Sequence, residues 1–312
     1  MKKILTLLVI AFSSIAQSQT FELVPLGIYG GGDESNLSSY LVGEYNSNSY
    51  LALDAGTIRA GIQKARELQT FNKPNEVVLK DYIKGYFISH GHLDHLSGLI
   101  INSPEDSSKP IYALPFVIDI FKNNYFTNAS WSNFGNEGES PIIGKYIYQR
   151  VTPLKDFVIE NTRMSAEVFE LSHVNPQQSS ALIVNLDGSS IAYLGDTGAD
   201  RVEKSDKLGV LWTALAPKIK AKSLKALLIE VSFTDEQPED KLYGHLTPNL
   251  LKEELRKLEK INGKGSLKGL NVMITHLKPS GDQVQKIKST LEATNELEVN
   301  YIFPIQGQRY LF

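Results

Sequence analysis

The 312-residue chain contains no cysteine, which removes disulfides, thiolate metal ligands, a cysteine nucleophile and lipid attachment at an N-terminal cysteine. It also lacks an excess of basic charge. With 32 Lys and Arg against 35 Asp and Glu, the formal net charge is −3, so no broad positive field is available to hold a nucleic-acid backbone by counterion release. No polymeric nucleic acid is expected as substrate. No apolar run reaches the roughly 20 residues needed to span a bilayer, and no internal repeat or low-complexity linker divides the chain. What is present, 42% hydrophobic and 21% charged residues, is ordinary globular composition.

The N-terminus reads MKKILTLLVIAFSSIAQSQT. Two lysines precede an apolar run from Ile4 to Phe12, followed by small and polar residues with Ser14-Ile15-Ala16 and Ala16-Gln17-Ser18 as candidate cleavage triplets. That order is the order of a secretory signal. Residues 1–18 are expected to be removed, leaving 19–312 as a single domain that is periplasmic or secreted.

Short apolar runs at 49–54 (SYLALD), 84–89 (KGYFIS), 191–196 (IAYLGD), 226–230 (ALLIE) and 271–275 (NVMIT) read as mostly buried strands. Each ends in, or is followed directly by, a His, Asp or Glu. Between them, 248–261 reads as a helix with Thr247 as N-cap, Pro248 in the first turn and Leu251, Leu255 and Leu258 on one face. Strands interleaved with helices, with polar residues at the strand ends, imply a layered α/β architecture carrying its site on one rim. Residues 104–165 break the rhythm. Rich in Asn, Ser, Gly and aromatics (Phe116, Tyr125, Phe126, Trp131, Phe134), they read as an insertion over the site, whose aromatics either form its own small core or stack on a purine.

The chemistry concentrates in Ser89–Gly98, SHGHLDHLSG. Residues two apart on an extended loop point the same way, so His90 and His92 can grip one ion while Asp94 and His95, at the turn into a helix, grip a second. Crowding three imidazoles and a carboxylate into six residues has no evident gain without a metal. Further candidates stand at strand ends: His173 after FELS, Asp196 in YLGDTG and His276 closing MITH. Asp54, ending LALD, is either a strand-end turn residue or, by its resemblance to the bracing aspartate of metallo-β-lactamase-type sites, a support for the metal loop.

This order of ligands resembles that of the metallo-β-lactamase fold, an αββα sandwich. The resemblance implies that His90, His92 and His173 hold one ion, Asp94, His95 and His276 the other, and that Asp196 bridges them. Two divalent ions roughly 3.5–4 Å apart would lower the pKa of a bridging hydroxide to near neutrality. Zn²⁺ is the expected metal on such nitrogen and oxygen ligands, with Mn²⁺ or Fe²⁺ as alternatives.

The likeness narrows at Ile88–Pro104, ISHGHLDHLSGLIINSP, which resembles the signature of class II cyclic-nucleotide phosphodiesterases. The stretches GGGDESNLSSYLV, LDAGT, YLGDTG, IEVSF, YGHLTP and THLKP agree with it. It implies a small cyclic nucleotide, 3′,5′-cyclic AMP or GMP, as substrate and the 5′-nucleotide as product. It also implies a catalytic set of Asp94, His245 and Glu230: His245 protonates the departing alkoxide or binds a phosphate oxygen, and Glu230 fixes its tautomer. Lys278 is either a charge for the phosphate or a solvated side chain. Gly30–Gly32 lacks the GK[ST] ending of a P-loop and reads as a tight turn.

Three rivals share features with this reading. A tRNA 3′-processing type of ribonuclease has the same ligands but calls for a basic, RNA-steering surface. A secreted metallo-β-lactamase has no need of Glu230 and His245. A non-catalytic metal-binding module would not require the complete ligand set. The oligomeric state is not readable from the sequence.

Overall fold

Residues 50–53, Tyr-Leu-Ala-Leu, show why this chain builds layers. Tyr50 and Ala52 enter one apolar cluster while Leu51 and Leu53 enter another, because successive side chains of a strand point to opposite faces. A strand apolar on both faces has to be covered on both.

The computed structural model describes residues 19–174 and 177–312; the signal segment expected at 1–18 lies outside the described residues. The first sheet contains β1 (Phe21–Gly27), β2 (Ser39–Glu44), β3 (Tyr50–Leu53), β4 (Ile83–Phe87), β5 (Lys109–Ala113), β6 (Asn133–Gly135) and β7 (Ile142–Arg150). The second contains β8 (Asp156–Val158), β9 (Ser165–Ser172), β10 (Gln178–Leu186), β11 (Ser189–Leu194), β12 (Leu224–Glu230), β13 (Asn271–Thr275) and β14 (Asn300–Ile302). The last strand, β15 (Tyr310–Leu311), returns to pair with β1, giving the orders β15-β1-β2-β3-β4-β5-β7-β6 and β14-β13-β12-β11-β10-β9-β8.

Three apolar clusters separate four layers. One, with Leu23, Phe87, Leu182 and Leu228, fills the space between the sheets. Another packs the helices Arg59–Glu67, Leu93–Asn102 and Pro115–Ile120 through Ile62, Leu96, Leu99 and Val117 against the outer face of the first sheet. The third packs Lys207–Lys220, Pro248–Asn262 and Gln283–Ala293 through Trp212, Leu251, Leu255 and Ile287 against the second. The expected helix at 248–261 is the Pro248–Asn262 helix, and Thr247 Oγ1 accepts the Leu250 N–H at 3.4 Å as its cap.

Residues 104–165 are woven into both sheets. They supply β5 to β8, and Phe126 stacks on Phe121 at 5.6 Å and on Tyr146 at 6.1 Å in the core of the first half.

The strands run so that one rim collects their polar ends. β4 lies parallel to β3, with Phe87 opposite Leu53. β12 lies parallel to β11 and β13, with Leu228 opposite both Tyr193 and Met273. Asp54, His90, Asp196, Glu230 and His276 therefore emerge at carboxyl ends of parallel strands, the edge where ligands of open α/β sheets bind. Among the described residues, no helix is long and apolar enough to cross a membrane.

Candidate metal centre

Asp54 leaves β3 with a φ of 56°, a left-handed backbone that aspartate tolerates better than most residues. Its carboxylate is buried and receives four donors. The Ser89 N–H reaches Oδ1 at 2.7 Å, and Ser89 Oγ (2.7 Å), His95 Nδ1 (2.7 Å) and the Tyr193 hydroxyl (2.6 Å) reach Oδ2. Of the two readings open for Asp54, the brace is the observed one. With Nδ1 committed to Asp54, His95 turns Nε2 inward. That nitrogen is buried without a hydrogen-bond partner, although Asp196 Oδ1 lies 3.2 Å away. Leaving it so would be costly, whereas a cation would use its lone pair.

Two serines extend the bracing. Ser89 gives its proton to Asp54, so its oxygen accepts from His90 Nδ1 at 3.0 Å. Ser232 gives its proton to Glu230 Oε2 at 2.6 Å and accepts from His276 Nδ1 at 2.9 Å. His173 Nδ1 donates to the Gly244 carbonyl at 2.9 Å. Each of these imidazoles spends one nitrogen on the protein and presents the other to the centre, the usual support of a metal-ligating histidine.

All six histidines of the chain meet here. His90 Nε2 and His173 Nε2 lie 3.1 and 3.4 Å from His92 Nδ1, and 3.7 and 3.9 Å from Asp196 Oδ2. On the other side, His276 Nε2 lies 3.2 Å from both Asp94 Oδ2 and Asp196 Oδ2. His90, His92, His173 and Asp196 form one donor group, and Asp94, His95 and His276 another, each with its ligand atoms within 4.8 Å of one another. Asp196, His245 and His276 satisfy the same limit. Asp196 stands between the first two groups. All seven residues named as ligands from the sequence are thus brought together.

The electrostatics suit a cation. Burial holds His90 well below the ordinary histidine range, and burial lowers His92 as well. Burial works to raise Asp196, but His276 and His95 hold it well below the carboxylate range. Asp94 is likewise lowered against its burial, by His95 and His276. For His95, burial is outweighed by Asp196, Asp54 and Asp94, which push it well up. Imidazoles held neutral at His90 and His92, beside the ionised Asp94 and Asp196 that draw positive charge onto His95, fit a site that takes a divalent metal.

His245 and Glu230 stand beside these groups. His245 Nδ1 lies 2.8 Å from Glu230 Oε1, which also accepts the Thr197 N–H at 3.0 Å. Burial works to raise Glu230, but His245 keeps it below the usual range. Lys278 Nζ reaches His245 Nε2 at 3.2 Å and sits 4.6 Å from the Phe233 ring centroid. It is drawn into the site rather than extended into solvent.

The model of class II cAMP phosphodiesterases matches residues 67–306. The chain belongs to that family. It is 44% identical to a 3′,5′-cyclic-nucleotide phosphodiesterase of Aliivibrio fischeri over 96% of each chain. It is 40% identical to a probable 3′,5′-cyclic-nucleotide phosphodiesterase of Yersinia pestis over 96% of this chain and 92% of that one. Unliganded yeast PDE1 superposes with a TM-score of 0.82 at 23% identity, covering 95% of this chain and all (100%) of that one. The metallo-β-lactamase fold protein YhfI of Bacillus subtilis superposes with a TM-score of 0.60 at 15% identity, covering 93% and 98%. These structures establish the fold, which is the expected metallo-β-lactamase sandwich.

Within this class II phosphodiesterase framework, the five aromatics singled out at 104–165 part company. Phe126 and Phe134 are buried in the core of the first half. The Trp131 indole donates to Ser103 Oγ at 3.0 Å, and the Tyr125 hydroxyl donates to the Gly91 carbonyl at 2.9 Å. Phe116 lines a cavity of about 370 Å³ beside His90, His92 and His173. The Gly30–Gly32 stretch does more than turn: a Cβ at Gly30 would lie 2.1 Å from His276 Cε1, so the ring packs directly on that backbone. Sequence reasoning gave Ser232 no role, although it lies in the quoted IEVSF stretch; a serine at a strand end carries no signal of its own.

Proposed function

We propose that this chain hydrolyses 3′,5′-cyclic nucleotides to 5′-nucleotides with two divalent cations, Zn²⁺ first. His90, His92 and His173 would hold one, Asp94, His95 and His276 the other, with Asp196 shared. The observation that carries this reading is Asp196 standing between two donor groups with the His245–Glu230 pair alongside. When bound, such ions neutralise phosphoryl charge and acidify water to give a nucleophile at neutral pH.

The chain's own groups account for the rest. Water adds to phosphorus, the bond from phosphorus to the 3′ oxygen breaks, and that oxygen takes a proton from His245. Glu230 holds Nδ1 of His245 and so aims Nε2 at the leaving oxygen. Lys278 places a positive charge where Nε2 points, suited to a phosphate oxygen. Asp94 belongs to the donor set and borders the open side of the site.

The test is release of 5′-AMP from 3′,5′-cyclic AMP by residues 19–312, with and without chelator, beside Asp196→Ala and His245→Ala. Turnover that chelator stops, Asp196→Ala abolishes and His245→Ala slows is the expected result. A fully metallated protein that cleaves neither cyclic AMP nor cyclic GMP would overturn the reading. We also propose export, supported by the lysine, apolar and small-residue order of residues 1–18. N-terminal sequencing of protein from a periplasmic or culture fraction should begin near residue 17 or 19, and a chain starting at Met1 would refute it.

A further inference from the structure

The cavity beside His90, His92 and His173 has a wall of different chemistry from the rest of the site. Phe116 and Ile120, from the Pro115–Ile120 helix, give it an apolar side, and Gln178, at the start of β10, stands at its edge. At about 370 Å³ it is in the range of small-molecule subsites, which are mostly apolar with a few placed polar groups. Past His173, whose ring lies 5.0 Å from that of His245, the site becomes charged, with Lys278 and the His245–Glu230 pair. The charged part suits phosphate, and the apolar wall suits a flat, weakly polar group.

The apolar wall is fixed to the metal loop. Ile120 covers Gly91 so closely that a Cβ there would fall 2.6 Å from Ile120 Cδ1. Four residues after Phe121, which continues the helix, the Tyr125 hydroxyl donates to the Gly91 carbonyl. The loop that presents His90 and His92 and the helix that presents Phe116 are therefore one packed unit. The cavity is built before any ligand arrives.

We infer that this cavity is the nucleobase subsite, taking a purine against Phe116 and Ile120 with the Gln178 carboxamide offering both a donor and an acceptor to the base edge. The inference rests on the proposed reaction and assigns base recognition to Phe116, Ile120 and Gln178. An aromatic face binds any base by stacking, so Phe116 contributes affinity while Gln178 bears on which base is preferred.

Binding of 5′-AMP and of ribose 5-phosphate to the metal-loaded protein, by calorimetry, tests the subsite without relying on turnover. The wild-type protein should bind 5′-AMP about tenfold or more tightly than ribose 5-phosphate, the scale of one base stacked on an aromatic ring. Phe116→Ala should lose most of that ratio. Phe116→Leu, which keeps apolar volume for folding, should lose a good part of it. Both should keep wild-type metal content and wild-type affinity for ribose 5-phosphate, which has no ring to stack. Unchanged AMP to ribose phosphate ratios in both variants, or an equal loss of affinity for the two ligands, would overturn the assignment. A metal-loaded wild-type protein that neither cleaves cyclic AMP nor discriminates AMP from ribose 5-phosphate would instead overturn the proposed reaction.

Discussion

Glu230 reaches His276 through Ser232 while holding His245 directly: Ser232 Oγ is 2.6 Å from Oε2 and 2.9 Å from His276 Nδ1, and His245 Nδ1 is 2.8 Å from Oε1. One carboxylate therefore orients both a proposed metal ligand and the proposed proton donor. The two duties can be separated. His245→Ala should lower kcat by about 10²–10⁴, the range of general acid–base catalysis, with full metal content. Ser232→Ala should weaken metal binding roughly 10–100-fold, as losing an outer partner of a ligating histidine does, with near-normal kcat at saturating metal. Glu230→Gln should show both defects. Kinetics alongside metal titration checks this, and a Glu230→Gln protein impaired in only one respect contradicts it.

Asp54 is predicted to act on metal affinity at a distance. Asp54→Asn keeps the size but loses acceptor capacity toward Ser89, His95 and Tyr193, so metal affinity should fall by roughly 10–100-fold. Tyr193→Phe, which removes a single donor to the same oxygen, should do less. Competition with a chelating dye measures both. Equal affinities in wild type and Asp54→Asn would mean that the loop holds its shape without the brace.

Gly30 leaves no room for a side chain beneath His276. Gly30→Ala should displace the ring and drop the ion held by Asp94, His95 and His276, while the His90, His92 and His173 group stays loaded. Elemental analysis of purified protein should then show about one ion lost of the two that the paired groups are proposed to hold. Full occupancy with wild-type turnover would show that the Gly30 segment yields.

Lys278→Met should lower kcat/KM for cyclic AMP by about tenfold or more, the effect of removing a hydrogen bond to a charged group. Lys278→Arg should restore part of it, since the charge returns with a different fork of donors. Metal content should not change. If Lys278→Met hydrolyses cyclic AMP like wild type, the lysine serves only the contact with Phe233.

The site was legible where its parts are local. His90, His92, Asp94 and His95 share one loop, and His173, Asp196 and His276 each directly follow or close to follow a buried strand, so spacing and strand pattern reveal them. Asp54 stayed undecided because its role depends on Tyr193, 139 residues away, as well as on Ser89, 35 residues away. Lys278 was seen next to His276, but its partner His245 lies 33 residues back on another connection. The expected strands correspond to β3, β4, β11, β12 and β13 within a residue or two at each end. The aromatic and Asn-rich composition of 104–165 masked β5 and β7, whose pairing with one another and with β4 appears only once the sheet is assembled.

The donor groups hang from two different sheets, Asp94 and His95 after the first and His276 after the second, joined by side-chain packing and by a few hydrogen bonds such as Tyr193 to Asp54 and Ser180 to the Ser89 carbonyl. A slip of one sheet past the other by one residue would carry its ligands about 3.3 Å, the rise of a strand, as far as the present gap between Asp94 and His276. The interdigitation of Leu23, Phe87, Leu182 and Leu228 thus works as an alignment gauge. A cavity cut there, at side chains that are not themselves ligands, should surface first as a change in metal stoichiometry.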